Sequence, residues 1–149
     1  MSSVDDVQAY DTAAEGVLAQ WAQKDGSAAS GWLISQYNGK RKPQLIEIIA
    51  SSWYWAGNDP RTVENWVRGF ADQDERDHGW VGIFARLDPL STDYRRVFEY
   101  IQTPELRERA LRSAVSRQKL ISKSNAQQFL DDTMIDEVTR AELQVWIDQ

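Results

Sequence analysis

The sequence predicts an all-α protein: a short solenoid of antiparallel helix pairs, with three to four repeats, about eight to nine helices and a C-terminal capping helix, in one domain over residues 1–149. Three observations predict it. The stretch from Trp55 to Val67 has a near copy from Trp21 to Leu33, at an offset of 34 residues without a gap. Trp21 falls on Trp55, Ala22 on Ala56, Asp25 on Asp59, Trp32 on Trp66 and Leu33 on Val67; a further step lands on Asp93, Val97, Tyr100 and Ile101. Self-similarity at this period marks a helical repeat array. Within each copy the apolar residues recur at three- and four-residue spacing, which sets them on one face of a helix. The chain has no alternating β-branched run bounded by hairpin turns.

Each element has its own local signals. Residues 1–5 are expected to fray. A first helix over about residues 6–24 carries Val7, Tyr10, Ala14, Val17, Leu18 and Trp21 on one side. Asp25-Gly26 turns the corner into a second helix, with Ala28, Ala29, Trp32 and Leu33 as its stripe, which Tyr37-Asn38-Gly39 closes. Lys40-Arg41-Lys42 is a basic link, and Pro43 opens a third helix with Leu45, Ile48, Ile49, Ser52, Trp53 and Ala56 on its main face. Gly57-Asn58 tolerates the left-handed backbone of a helix stop. Asp59 accepts from the free N–H groups of the fourth helix and suits its dipole, while Pro60 takes the first position, where a missing N–H costs nothing. Val63, Trp66, Val67 and Phe70 form the stripe of that helix, to about Ala71.

The acids between Asp72 and Asp77 favour the start of a fifth helix, which carries Trp80, Ile83, Phe84 and Leu87 and is weakened by Gly79 and Gly82. After the turn Asp88–Thr92, Asp93 caps a sixth helix with Val97, Tyr100 and Ile101. Thr103-Pro104-Glu105 starts a seventh, holding Leu106, Ala110, Leu111, Ala114 and Val115. Ser122 or Ser124 caps an eighth, where Ala126, Phe129 and Leu130 form a degenerate fourth copy, its spacing slipped from 34 to 29. Thr133 to Asp136 reads as a capping box for a last helix with Ile135, Val138, Leu143, Val145 and Trp146, the cap of the array.

The pattern Trp-Ala-x-x-Asp-Pro/Gly-x-x-x-x-x-Trp-Leu/Val resembles the tetratricopeptide-like class of αα-repeats over about residues 6–132, in a Trp-rich form like that of repeats in large bacterial proteins. It departs from the usual tetratricopeptide positions for Gly, Tyr, Ala and Pro. The resemblance implies a scaffold and carries no site residue over.

Composition narrows the function. A hydrophobic content of 42% with seven Trp is too apolar for a disordered chain. No apolar run approaches the length of a membrane span, and the N-terminus carries no basic and apolar segments of a signal peptide. Without Cys the chain has no disulfide, thiol nucleophile or thiolate metal site, which fixes no compartment. A net charge of −6 argues against nucleic acid and against an anionic membrane surface as partners.

The candidate residues follow. Three consecutive helical residues span about 200°, so Trp53, Tyr54 and Trp55 cannot share one buried stripe. Trp53 continues the stripe and Trp55 takes the inter-repeat position of Trp21; Tyr54 either covers a neighbouring helix or faces a ligand. The cluster Asp72, Asp74, Glu75, Asp77 and His78 lacks the spacing of a calcium loop and reads as a solvated helix start, as do Asp131, Asp132, Asp136 and Glu137. Lys40-Arg41-Lys42 with Arg76, Arg86, Arg95 and Arg96 reads as a link plus surface pairs, or as a basic stripe for an acidic peptide. Neither catalytic residues, nor a metal site, nor a cofactor is expected. The reading is a non-enzymatic protein-interaction or adaptor module that binds a protein or peptide partner through Tyr54, Trp80 and Arg86, with Lys40 and Arg41 at a rim. The alternatives are a small acidic inhibitor or immunity-type protein that masks a basic site, and a carboxylate-based enzyme.

Overall fold

Short-range signals set the helix boundaries in the computed structural model, which describes residues 4–57 and 59–149, with side chains from residue 13 onward. It is all-helical, and the described residues contain eight helices and no strand: α1 (Val4–Gln36), α2 (Lys42–Trp55), α3 (Pro60–Arg68), α4 (Gln73–Phe84), α5 (Thr92–Tyr100), α6 (Pro104–Ile121), α7 (Lys123–Asp131) and α8 (Glu137–Asp148). The side chains of Val7 and Tyr10, and Asn58, lie outside the described residues. Val4 and Asp5 belong to α1, inside the segment expected to fray.

α1 is two helices in series. Asp25 interrupts it with extended backbone (φ −154°, ψ 84°) and accepts from Ala28 N at 3.0 Å, so the predicted corner is in place. Asp59 does the same for α3, accepting from Arg61 N at 3.0 Å, with Pro60 opening the helix. Gly57 has φ 79°, the left-handed geometry predicted for the stop after α2. Ser122 rather than Ser124 caps α7, accepting from Asn125 N. Replacing Asp59 with Ala is expected to remove about 1 kcal/mol of stability, read as a lower urea midpoint with an unchanged m-value.

Burial follows the 34-residue offset in three copies. Ala29, Val63 and Val97 are fully buried, as are Leu33, Val67 and Ile101, while Trp32, Trp66 and Tyr100 are each half-buried. The third cap differs: Ser91, not Asp93, is the N-cap of α5, and Asp93 sits in the first turn, paired with Arg96 at 3.1 Å.

The chain divides into two compact units, Met1–Arg86 and Leu87–Gln149. In the first, α2 packs against both α1 and α4, and α3 lies against α2 and α4. Being flanked on two sides, α2 buries Ile46 and Ala50 in addition to the predicted Leu45, Ile49, Ser52 and Trp53, whereas Ile48 is half-buried and Ala56 exposed. The Trp53 ring lies against the Gly26 backbone and meets Trp66 edge-on at 5.9 Å; Trp66 in turn meets Phe70 at 5.0 Å.

α4 departs from the sequence reading. Every residue from Asp77 to Phe84 is buried, including Asp77, His78 and Trp80, so its last two turns are core on all sides. The two glycines make this possible. A Cβ on Gly82 would clash with Glu47 O and lie 3.1 Å from Ser51 N, both backbone atoms of α2, and one on Gly79 would lie 2.7 Å from the Val67 methyls. Residues expected to weaken the helix are the seam along which it docks. His78 lies between Glu47 and Asp74, Nδ1 to Oε2 at 3.5 Å and Nε2 to Oδ1 at 3.8 Å, and Asp77 accepts from Gln73 Nε2 at 2.7 Å.

In the second unit α6 packs against α5, α7 and α8. All five apolar residues predicted for its face are buried, as are Ala126, Phe129 and Leu130 of α7. Phe129 meets Tyr94 and Phe98 of α5, each at 5.6 Å. α8 begins at Glu137, capped by Asp136, which accepts from Thr139 N and Oγ1, each at 2.8 Å. Thr133 is not a cap; it is buried and donates to Phe129 O at 2.6 Å, closing α7. The face of α8 that packs is Thr139, Leu143 and Ile147, at four-residue spacing, which leaves Val138 and Val145 exposed. No helix among the described residues is long and apolar enough to cross a membrane.

Candidate functional site

The last turn of α2 separates the aromatic run as its 100° steps require. Trp53 points inward, Tyr54 is half-buried and Trp55 is 63% exposed. Trp55 therefore does not fill the packing position that its match with Trp21 suggested. The Gly82–α2 contact carries the end of α4 alongside the end of α2, and Arg86, two residues past α4, reaches back. Its Nε donates to Ser51 Oγ at 2.7 Å and its guanidinium lies 5.1 Å from the centre of the Trp55 ring. An exposed indole is thus held by a planar cation stacked on it, a contact worth about 0.5–1 kcal/mol at such a site. Trp, Tyr and Arg are the side chains that dominate protein-binding energetics, because each offers a large area for few rotatable bonds or a directed fork of donors.

The other predicted contact residues lie elsewhere. Trp80 is 4% exposed, with the Arg68 guanidinium 5.3 Å from its ring centre, so it belongs to the interior rather than to a contact surface. Lys40 is exposed on the link between α1 and α2. Arg41 is half-buried and paired with Glu15, and its backbone N–H donates to Tyr37 Oη at 3.3 Å. The other members of the predicted basic stripe, Lys42, Arg76, Arg95 and Arg96, are each engaged locally. Lys42 pairs with Glu75 at 3.3 Å, Arg76 donates to Phe70 O and Ala71 O, and Arg95 pairs with Asp132 at 3.6 Å.

Several of the acidic groups are likewise engaged. Asp72 caps α4 by accepting from Glu75 N, Asp131 accepts from Gln127 Nε2 at 2.9 Å, and Asp136 caps α8. The bonds from Thr139 hold the Asp136 carboxyl below its usual range. Arg112, hydrogen-bonded to Glu142 and Glu108, is held above the usual arginine value and links α6 to α8. Among the described residues no three His, Asp or Glu are placed to hold a metal ion.

Two clefts are lined by residues of α1. An apolar one of about 380 Å³ lies between Val17, Leu18, Trp21 and Trp32; a second, of about 300 Å³, runs from Trp32 to Tyr37, Arg41 and Leu45. Trp32 is shared, with its ring 6.3 Å from Trp21 and 6.1 Å from Tyr37.

In the second unit burial pushes the Tyr94 phenol up to about 12, against the opposing pull of Arg117. A raised phenol stabilises the fold fully below about pH 10, and that contribution is lost as pH rises from about 10 to 12, because the unfolded chain ionises first. Stability is expected to fall by up to about 1.4 kcal/mol per pH unit across that window. A tyrosinate absorbance titration should show one of the five tyrosines ionising late, and Tyr94→Phe should abolish that late step.

The exposed Trp55 was missed because the repeat alignment placed it with Trp21. The signal against that placement was present: two residues after Trp53, Trp55 cannot share its face. Comparison with protein-family models, with curated proteins and with solved structures returns no match to this chain.

Proposed function

We propose that the chain is a non-enzymatic protein-interaction module built from tetratricopeptide-like helical repeats, and that it engages a protein partner through Trp55, Arg86 and Tyr54. The observation that carries this reading is the exposed Trp55 ring with Arg86 stacked on it and anchored to Ser51. A large apolar ring left 63% in water gains free energy when covered, and its cation partner is already ordered, so little rotamer entropy remains to be lost on binding. The recurrence of burial at 34-residue steps supports the repeat reading.

The test is affinity capture from lysate at low and high salt, followed by titration of the retained partner. Trp55→Ala and Arg86→Ala should each weaken binding by at least about tenfold, with little change at high salt, since the buried area is mainly apolar. A partner held equally well by both variants would sink the assignment of this surface. A partner lost only at high salt, or on neutralising Asp74 and Asp132, would favour the acidic inhibitor instead.

A further inference from the structure

The second unit has a cleft unlike the aromatic ones of the first. It is about 200 Å³, lies where α5, α6 and α7 meet, and is walled by carboxamides: Gln118 from α6, Asn125 and Gln128 from α7. Gln118 donates to Pro89 O at 2.7 Å, which fixes its amide. The side chains of Asn125 and Gln128 have no partner among the described residues, and Gln128 is exposed. Ser91, on the same wall, has a buried Oγ with no hydrogen-bond partner among the described residues; it is not spent on capping α5, whereas Asp59, Asp72, Ser122 and Asp136 all cap their helices. Leu90 stands at the rim, largely exposed.

The chemistry of the walls selects the ligand. Arg95 lines the cleft, but it is paired with Asp132 and lies over the Phe129 ring at 4.9 Å, so no uncommitted cation from the lining awaits an anion. The Tyr94 and Phe129 rings are buried, which leaves no aromatic platform for a sugar to stack on. What remains are groups that each offer one donor face and one acceptor face at fixed spacing along α7, three residues apart and so on one side of the helix. The peptide bond has the matching pair, an N–H and a C=O. We propose that this cleft binds the backbone of an extended peptide segment, read by Asn125 and Gln128, with Leu90 covering a side chain at the rim. It shares the class of partner with the interaction-module reading but stands on different residues in a different unit, so the two can fail separately.

The test is an amide-detected NMR titration of the full chain with a capped alanine tripeptide, carrying an N-acetyl and a C-methylamide group. Glucose, acetate and inorganic phosphate serve as comparison probes. The side-chain NH₂ signals of Asn125 and Gln128 and the backbone signals of Leu90 and Ser91 should shift saturably with the tripeptide alone. Asn125→Ala and Gln128→Ala should each weaken the binding by about threefold to tenfold, the loss of one or two neutral hydrogen bonds. Gln128→Glu, which keeps the shape and removes the donor, should weaken it comparably. Both positions lie at the surface of the unit, and unchanged dispersion elsewhere in the spectrum verifies folding. Larger shifts with acetate or phosphate would overturn the proposal in favour of an anion site at Arg95; larger shifts with glucose, in favour of a polyol site. No shift with any probe would overturn it outright.

Discussion

Gly82→Ala is expected to destabilise the protein by about 2–3 kcal/mol, although alanine is the better helix former by about 1 kcal/mol. The added methyl would meet Glu47 O and Ser51 N, both backbone atoms of α2. No rotamer change can relieve a clash with backbone, so α2 and α4 must separate along the seam where Gly82 meets Glu47, Ala50 and Ser51. Close-packed interiors tolerate such a shift poorly. Gly79→Ala should cost less, because its nearest neighbours are the Val67 methyls, which can yield. Gly31→Ala is the control. It lies inside α1 with nothing within 4 Å of the new methyl, and it should stabilise by about 0.5–1 kcal/mol. Urea denaturation of the three variants checks the order, and a stabilised Gly82→Ala would show that the seam does not limit helix approach. Arg86 and Trp55 meet because α4 lies this close to α2, so Gly82→Ala should also loosen the Arg86–Ser51 hydrogen bond and weaken partner binding with no change to the contact residues themselves.

Phe129→Ala should cost about 3–5 kcal/mol, the larger of the two effects. The ring is 4% exposed and joins α7 to two rings of α5, Tyr94 at 5.6 Å and Phe98 at 5.6 Å, the latter nearly perpendicular at 70°. Its removal leaves a cavity between helices held by few other side chains of that size. Part of the loss belongs to the pair rather than to area alone. The double variant with Phe98→Ala should therefore fall short of the sum of the single losses by about 0.5–1.5 kcal/mol. Strict additivity in chemical denaturation would show that the edge-on contact contributes nothing beyond burial. Phe129→Leu, which keeps the site apolar and most of its volume, should lose less than half as much.

Both predictions rest on contacts that join distant parts of the chain, and that is where reading the sequence alone stopped. Helix starts were legible because a cap is a local bond. Asp25, Asp59 and Ser122 each accept from an N–H two or three residues on, and Pro43, Pro60 and Pro104 stand at helix starts where their missing N–H costs nothing. The inward stripes were legible for the same reason. Val63 and Val67, or Leu106, Ala110 and Leu111, share a face by the helical period whatever packs against them.

The failures involved neighbours that sequence spacing does not supply. Asp136 rather than Thr133 caps α8, Thr133 donating instead to Phe129 O, and the helix packs through Thr139, Leu143 and Ile147, which leaves Val138 and Val145 outward. Asp77, His78 and Trp80 became interior because α2 and α3 cover α4 from two directions, an outcome that depends on the absence of a side chain at Gly79 and Gly82. For the candidate site, the sequence by itself established that the three aromatics at the end of α2 must diverge, and it offered Tyr54 and Arg86 as contact residues. Only the tertiary structure decided that Trp55 is the ring left in water and that Arg86 lies over it. The period of a helix fixes the angle between side chains, whereas the helix packed alongside fixes which of those angles is covered.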